Sequence, residues 1–554
     1  MAKKYSKMNI SKVRQLQPFK ISYSNIADFE ILDGTKLTGA SEARKRDVSA
    51  ISDTMLSVRT TGLSRVAIEK LKDQHILKGY KTQEIARPAF PDDLRYLKTY
   101  SAQLFPKGKM LVLVNWDLYD SVKSSLNQYV MDLAYEGWFA TVVKINYGTP
   151  VEVKNYIKSK AVSGVLMVGN VTASWFEMKD DFYNASSEFP CDLYYMDTNG
   201  VWGDPDGNGK FNSFTGNVTP EIWVGRLWTP TSNGNDATLI NDYFARNHKY
   251  RIGQFGYSNK ALAYVDDDWQ HFGDCAFDNM FPASRIETHT NPVATDGDRY
   301  KAEINQHRAW AQVCSHSSPA THSFRVGTAN EYVAASYLRD VNPPNSYFYN
   351  LFACSTARYT EPDYMGGWYI FDKTGNSICN GLTAVGSAKT GSMLYFENFY
   401  KPMKSGKSIG ESYLEWWKAL GTAHDLTDRQ WFYGLTILGD PTLNWWNGVI
   451  PTLRDPFDGD VFDHYPRVMN FLWDMVSLPG STVTYNVEVD ADGAVKAGQW
   501  AAESGKTFLV SGNLSTNNYE HQFVGAQRGR WRVRACVDGI VCPWSDWRYF
   551  AFKI

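Results

Sequence analysis

From about residue 106 to about 446, short apolar runs alternate with stretches of helical period. The runs are Lys109–Val114, Ala140–Ile145, Gly164–Gly169, Ile222–Gly225, Lys260–Val265, Trp310–Cys314, Tyr347–Phe352 and Leu382–Gly386. Between the first two, Val122, Leu126, Tyr129, Val130 and Leu133 recur on one helical face, which predicts a crossover helix over 121–136. Strands of this kind joined by helices predict an α/β unit with a mostly parallel sheet. After about 450 the helical period stops. Alternating stretches such as Thr482–Val489, Trp531–Ala535 and Trp547–Phe550, parted by Gly, Pro and Asp turns, predict a β-sandwich of immunoglobulin-like or fibronectin-like type. Before 106 the pattern is mixed: a short alternation begins at Phe29, and a basic run over Glu42–Asp47 reads as a solvated loop. The expected division is an N-terminal accessory region over 1–105, an α/β unit over 106–449 and a β-sandwich over 450–554, with the second boundary near Val449.

Composition agrees with this division. A chain of 554 residues is too long for one core, and a hydrophobic share of 43% against 21% charged residues is that of a globular protein. The 57 Lys and Arg nearly cancel the 59 Asp and Glu, so no global field favours nucleic acid or an anionic membrane. The 19 Trp point to β-structure and packing before any ligand surface. No apolar segment follows the basic N-terminal residues and no run approaches a bilayer span, so neither a signal peptide nor an anchor is expected here. Seven cysteines are scattered without a CxxC pair; Cys536 and Cys542 flank a hairpin turn, where a bridge and two thiols are both compatible.

In an open α/β sheet, reactive groups gather at the carboxyl ends of strands. Two runs end in a complementary pair, one reaching His316 and the other Cys354, and their separation (354 − 316 = 38) leaves room for one crossover. Imidazole beside a thiol suits acyl transfer, with the backbone N–H groups of Ser317 and Cys354 facing a developing oxyanion. Each residue alone also fits a packed strand end. His322, beyond Pro319 and expected in a loop, is a second candidate base. Elsewhere, Asp204, Asp206 and Asn208 offer side-chain oxygens at alternate positions and Lys210 a carbonyl, a spacing that suits structural calcium. The twelfth position is Thr215 and not Glu, so Glu221 or Asp197 would have to close such a site; a plain Asx turn is the alternative.

Read together, several blocks resemble the gingipain-type (C25) cysteine peptidases of the caspase-like clan: Val165–Asn170, Cys191–Tyr195, Pro220–Arg226, Ser315–Ser318, Ala353 with Cys354, Val385–Ser387 and Ile437–Leu443, in that order. The resemblance implies a caspase-like fold and a cysteine endopeptidase acting on protein or peptide substrates. His316 would be the catalytic histidine, Cys354 the nucleophile and Asp266 the acid behind the imidazole, with Asp267 and Asp268 as alternatives; three consecutive acids also suit calcium. It implies a preference for Arg or Lys before the scissile bond, with Asp274 and Asp278 on the corresponding loop, and export from the cell. Where the family has Gly after the histidine this chain has Ser317, which keeps the N–H and narrows the approach. A catalytically silent scaffold for adhesion or assembly is the alternative reading.

Overall fold

The computed structural model describes residues 81–85 and 107–552, apart from 253, 255–257, 374–378, 446–449, 458, 464–465, 477–481, 493–501, 524–527, 538, 543 and 546. The Phe29 alternation, the basic run at Glu42 and the expected boundary at Val449 lie outside the described residues.

The first half of the α/β unit consists of β1 (Lys81–Ile85), β2 (Gly108–Asn115), α1 (Tyr119–Tyr135), β3 (Trp138–Asn146), α2 (Pro150–Lys160), β4 (Gly164–Val168), β5 (Trp223–Leu227) and α3 (Ala237–Arg251). The second half contains β6 (Ala261–Val265), β7 (Ile286–His289), α4 (Gly297–Ile304), β8 (Arg308–Ser318), β9 (Thr321–Val326), β10 (Ala329–Ala334), β11 (Ser346–Ala353), β12 (Thr383–Ser387), α5 (Glu397–Lys404), α6 (Ile409–Leu420) and β13 (Leu435–Gly439). Among the described residues these strands form one 13-stranded sheet in the order β1-β3-β2-β4-β5-β13-β12-β11-β8-β6-β7, with β9 and β10 continuing from β8 as a hairpin. Pairing is parallel except at β1–β3, β12–β13 and within that hairpin. This is the expected α/β core with a mostly parallel sheet.

Each apolar run becomes a strand, and β4, β5, β6, β11, β12 and β13 are buried along their whole length. Burial on both faces explains why the runs read as continuous and not alternating. Helix starts carry local signals. Thr149 accepts from Glu152 N–H at 3.1 Å while its own N–H donates to Glu152 Oε2 at 2.9 Å, with Pro150 in the first turn. Ser408 and Glu411 form the same reciprocal pair ahead of α6. Trp138, Trp175, Trp223, Trp310, Trp416 and Trp417 are fully buried, so the tryptophan excess serves packing.

Beyond 450, a three-stranded sheet (Leu453–Asp455, Val468–Trp473, Asn518–Gln522) accompanies a six-stranded one that includes Val483–Asp492, Arg528–Val537 and Arg548–Phe552. They meet through Phe471 against Trp531 and Phe550, at 5.0 and 5.7 Å between ring centroids, and Trp473 against Tyr485 at 5.5 Å. No disulfide joins Cys536 and Cys542.

Candidate active site

Strand β8 is buried from Arg308 to Ser315 and becomes exposed at His316, where it leaves the sheet. Its last partner on β11 pairs Ser315 with Ala353, whereas His316, Ser317 and Ser318 pair with Ser323, His322 and Thr321 of β9. His316 and Cys354 are therefore the next residues on two hydrogen-bonded parallel strands, which run about 4.8 Å apart. Cys314 lies opposite Phe352, and Cys354 opens the turn that follows β11. The Trp269 ring lies 4.6 Å from the His316 ring and 5.5 Å from Phe352.

His316 Nε2 lies 2.7 Å from Asp268 Oδ2. Arg325 Nη1 donates to the other oxygen of Asp268 at 3.0 Å. The acid bonded to the imidazole is thus Asp268 and not Asp266, the best-aligned candidate of the three. Asp266 caps β6 and is wholly buried, with Oδ2 accepting the Arg325 N–H at 3.0 Å and its own N–H donating to Cys314 O at 2.9 Å. Burial raises its carboxyl to about 6, against the pull of the Arg325 and Asp267 N–H groups. Its place is between β6, β8 and the β9 hairpin.

Cys354 is half-buried. Burial raises its thiol above the ordinary value; the Gly391 N–H, the Lys389 ammonium and its own N–H oppose that rise, and Asp181 adds to it. The next residue, Ser355, has φ +60°, a left-handed turn that lifts the chain out of β11. Ser317 does not occupy the cleft with its hydroxyl, which donates back to Cys354 O at 2.6 Å. His322 lies in β9 and not in a loop. It is buried between Ser315 Oγ at 3.0 Å and Tyr369 OH at 2.7 Å, and burial drives its imidazole down to about 3. It is a structural histidine.

The residues expected to serve elsewhere are engaged locally. Asp274 Oδ1 accepts Ala276 N–H at 3.0 Å, and Asp278 Oδ1 accepts Asn279 Nδ2 at 2.9 Å. In the 204–210 loop the two oxygens of Asp204 accept the N–H groups of Asn208 and Gly209 at 3.1 and 2.8 Å, and Asn208 Oδ1 accepts Lys210 N–H at 2.9 Å. Asn208 Nδ2 faces Asp206 and Glu177, while the Lys210 ammonium pairs with Glu188 at 2.6 Å. Among the described residues no group of three or more His, Cys, Asp or Glu gathers closely enough to hold a metal.

Residues 103–446 match the family model of peptidase family C25. The chain belongs to peptidase family C25. As a gingipain-like cysteine peptidase it carries the family match over every strand of the large sheet except β1, the edge strand at Lys81–Ile85. No curated protein matches it. Among solved structures, one described as a protease is similar over 80% of this chain and 97% of its own, at 12% identity and TM-score 0.44. The Arg-specific cysteine proteinase gingipain R is similar over 82% and 99%, at 10% identity and TM-score 0.46. A Fn3-like protein from Clostridium thermocellum is similar over 19% and 92%, at 22% identity and TM-score 0.13. Of the described residues, no helix of this C25 peptidase is long and apolar enough to cross a membrane.

Two features of the site escaped the sequence reading. One is the aromatic wall of Trp269, Phe272, Phe352, Phe396 and Trp431, linked by ring contacts of 5.0 to 6.1 Å. The other is Lys389 with Gly391, just past the Val385–Ser387 block, where the rule of strand ends would have found them.

Proposed function

We propose that this C25 peptidase is an endopeptidase in which Cys354 is the nucleophile, His316 the general base and acid, and Asp268 the group that holds the imidazole. The observation that carries it is the pairing of β8 with β11 up to Ser315 and Ala353, the residues just before His316 and Cys354, with Asp268 on the imidazole. In the forward step His316 takes the thiol proton as sulfur attacks the carbonyl, and the imidazolium returns it to the departing amine. Asp268 supports the charged imidazole and fixes its tautomer with Nε2–H toward the carboxylate. The Ser317 and Cys354 N–H groups are the donors for the oxyanion, and water then cleaves the thioester. A peptidyl acyloxymethyl ketone tests this: Cys354 sulfur should displace its carboxylate and retain the peptidyl methyl ketone as a thioether in the wild type and not in His316→Ala. Labelling at another residue, or equal labelling without His316, would refute it.

Three finer readings belong to the same proposal. Asp274 and Asp278 are the acids near the β6 loop available to an Arg or Lys before the scissile bond; a fixed-position library should show that preference, and an equal response to apolar residues would remove it. Calcium at Asp204, Asp206, Asn208 and Lys210 rests on oxygen spacing alone, since the donors present are closed on the loop's own N–H groups. It predicts a melting temperature lowered by EDTA and restored by calcium; unchanged melting would leave a self-sufficient turn. The two-sheet unit beyond 450 is an immunoglobulin- or fibronectin-like module, supported by its sheets meeting at Phe471 and Trp473.

A further inference from the structure

The turn that carries Cys354 is fastened to the segment after β12. Ser355 N–H donates to Lys389 O at 2.8 Å and Ala357 N–H to Ser387 O at 2.9 Å. Two residues beyond Lys389 the chain reaches Gly391, whose N–H counts among the groups that oppose the rise of the Cys354 thiol. Gly391 has φ +114°, and a Cβ there would stand 2.7 Å from the carbonyl oxygens of Gln430 and Trp431. Only a residue without a side chain lets this segment pass so close to the 430–431 backbone.

The Lys389 side chain points inward and is 2% exposed. It pairs at 2.9 Å with Asp181, itself 4% exposed. The ammonium also donates to Thr390 O and Gln430 O at 2.5 and 2.6 Å, and lies 5.0 Å from the centre of the Phe182 ring. Such a pair is a poor source of stability, because removing two charges from water offsets most of their attraction and apolar side chains commonly replace it without loss. Its position is therefore the informative fact. The titratable side chains acting on Cys354 are Lys389 and Asp181, and those acting on Lys389 are Asp181, Cys354 and the buried Cys191.

We propose that Lys389 is a positioning residue for Cys354: held by Asp181, it fixes the segment to which the Cys354 turn is hydrogen-bonded and keeps a buried ammonium near the attacking thiolate. This rests on Cys354 being the nucleophile. The two members of the pair act on the sulfur with opposite sign, the ammonium favouring thiolate and the carboxylate opposing it. Opposite signs separate an electrostatic role from a merely structural one.

The test is the pH dependence of Cys354 alkylation by iodoacetamide in the full-length protein, followed by peptide mass mapping. Lys389→Met should move the midpoint to higher pH and slow alkylation roughly tenfold at neutral pH, the size expected when a nearby opposite charge is withdrawn. Asp181→Asn should move it to lower pH, and Lys389→Arg should stay near wild type. Midpoints unchanged in both charge-removing variants, or moved in the same direction, would overturn the proposal. Should Lys389→Met not fold, Asp181→Asn decides alone, since a midpoint at or above wild type contradicts the ammonium's role. Failure of the nucleophile reading looks different: peptide cleavage would survive Cys354→Ala, whatever the alkylation profile.

Discussion

Replacing Asp268 with Asn isolates the carboxylate's part in the site. Its contact with His316 Nε2, at 2.7 Å, is a charge-assisted hydrogen bond of a kind that contributes about 1.5 to 3 kcal/mol. The His316 and Asp268 side chains are 54% and 39% exposed, so solvent screening favours the lower end, about 1.5 kcal/mol. On transition-state arithmetic that is a loss of about tenfold in kcat/KM. Stability should change by less than about 1 kcal/mol, as for other solvent-exposed pairs. The assay is kcat/KM on one library-derived peptide, with thermal melting alongside, for Asp268→Asn and Asp266→Asn in parallel. Asp266→Asn keeps an oxygen for the Arg325 N–H and should leave kcat/KM near wild type. An Asp268→Asn enzyme at wild-type rate, with Asp266→Asn tenfold slower at unchanged melting temperature, would return the orienting role to Asp266.

Three further outcomes follow from buried groups. His322 titrates near 3 in the fold against 6.5 unfolded, so the stability it contributes is complete above about 6.5 and is lost as pH falls, by about 1.4 kcal/mol per pH unit; His322→Gln should flatten the acid side of a urea-midpoint profile, and an unchanged profile would contradict this. Asp266 is shifted the other way, to about 6 from 3.8, so its penalty appears as pH rises through that window. Asp266→Asn should thus gain on wild type between pH 4 and 7 by up to about 3 kcal/mol in denaturant titrations, and a constant difference would refute the shift. Gly391→Ala, which sets a Cβ against two carbonyl oxygens, should lower stability by about 1 to 3 kcal/mol and slow Cys354 alkylation; wild-type melting and alkylation would show that the segment yields.

What was legible in the sequence is what local pattern encodes. The eight apolar runs follow from unbroken hydrophobicity over strand length, the helix over 121–136 from a period of 3.6, and the placement of His316 and Cys354 at strand ends from the geometry of α/β sheets. Strand β13 is visible in the sequence only as the Ile437–Leu443 block, because five buried residues, Thr436 among them, reveal neither strand direction nor a place in the middle of the sheet. Pro319 suggested a loop at His322, yet the chain reverses within the residues between Ser318 and Thr321 and returns as β9. Three consecutive acids could not be ranked by position: a short helical turn after β6 buries Asp266 and brings Asp268 to the imidazole. The Lys389–Asp181 pair joins segments far apart in the chain, and a contact of that range leaves no periodic trace.

The most direct measurement is cleavage of a mixed peptide library by the wild type and Cys354→Ala, read by mass spectrometry, with circular dichroism confirming that both are folded. The account predicts internal cleavage products from the wild type and none from the variant. Undiminished cleavage by the folded Cys354→Ala protein would contradict it.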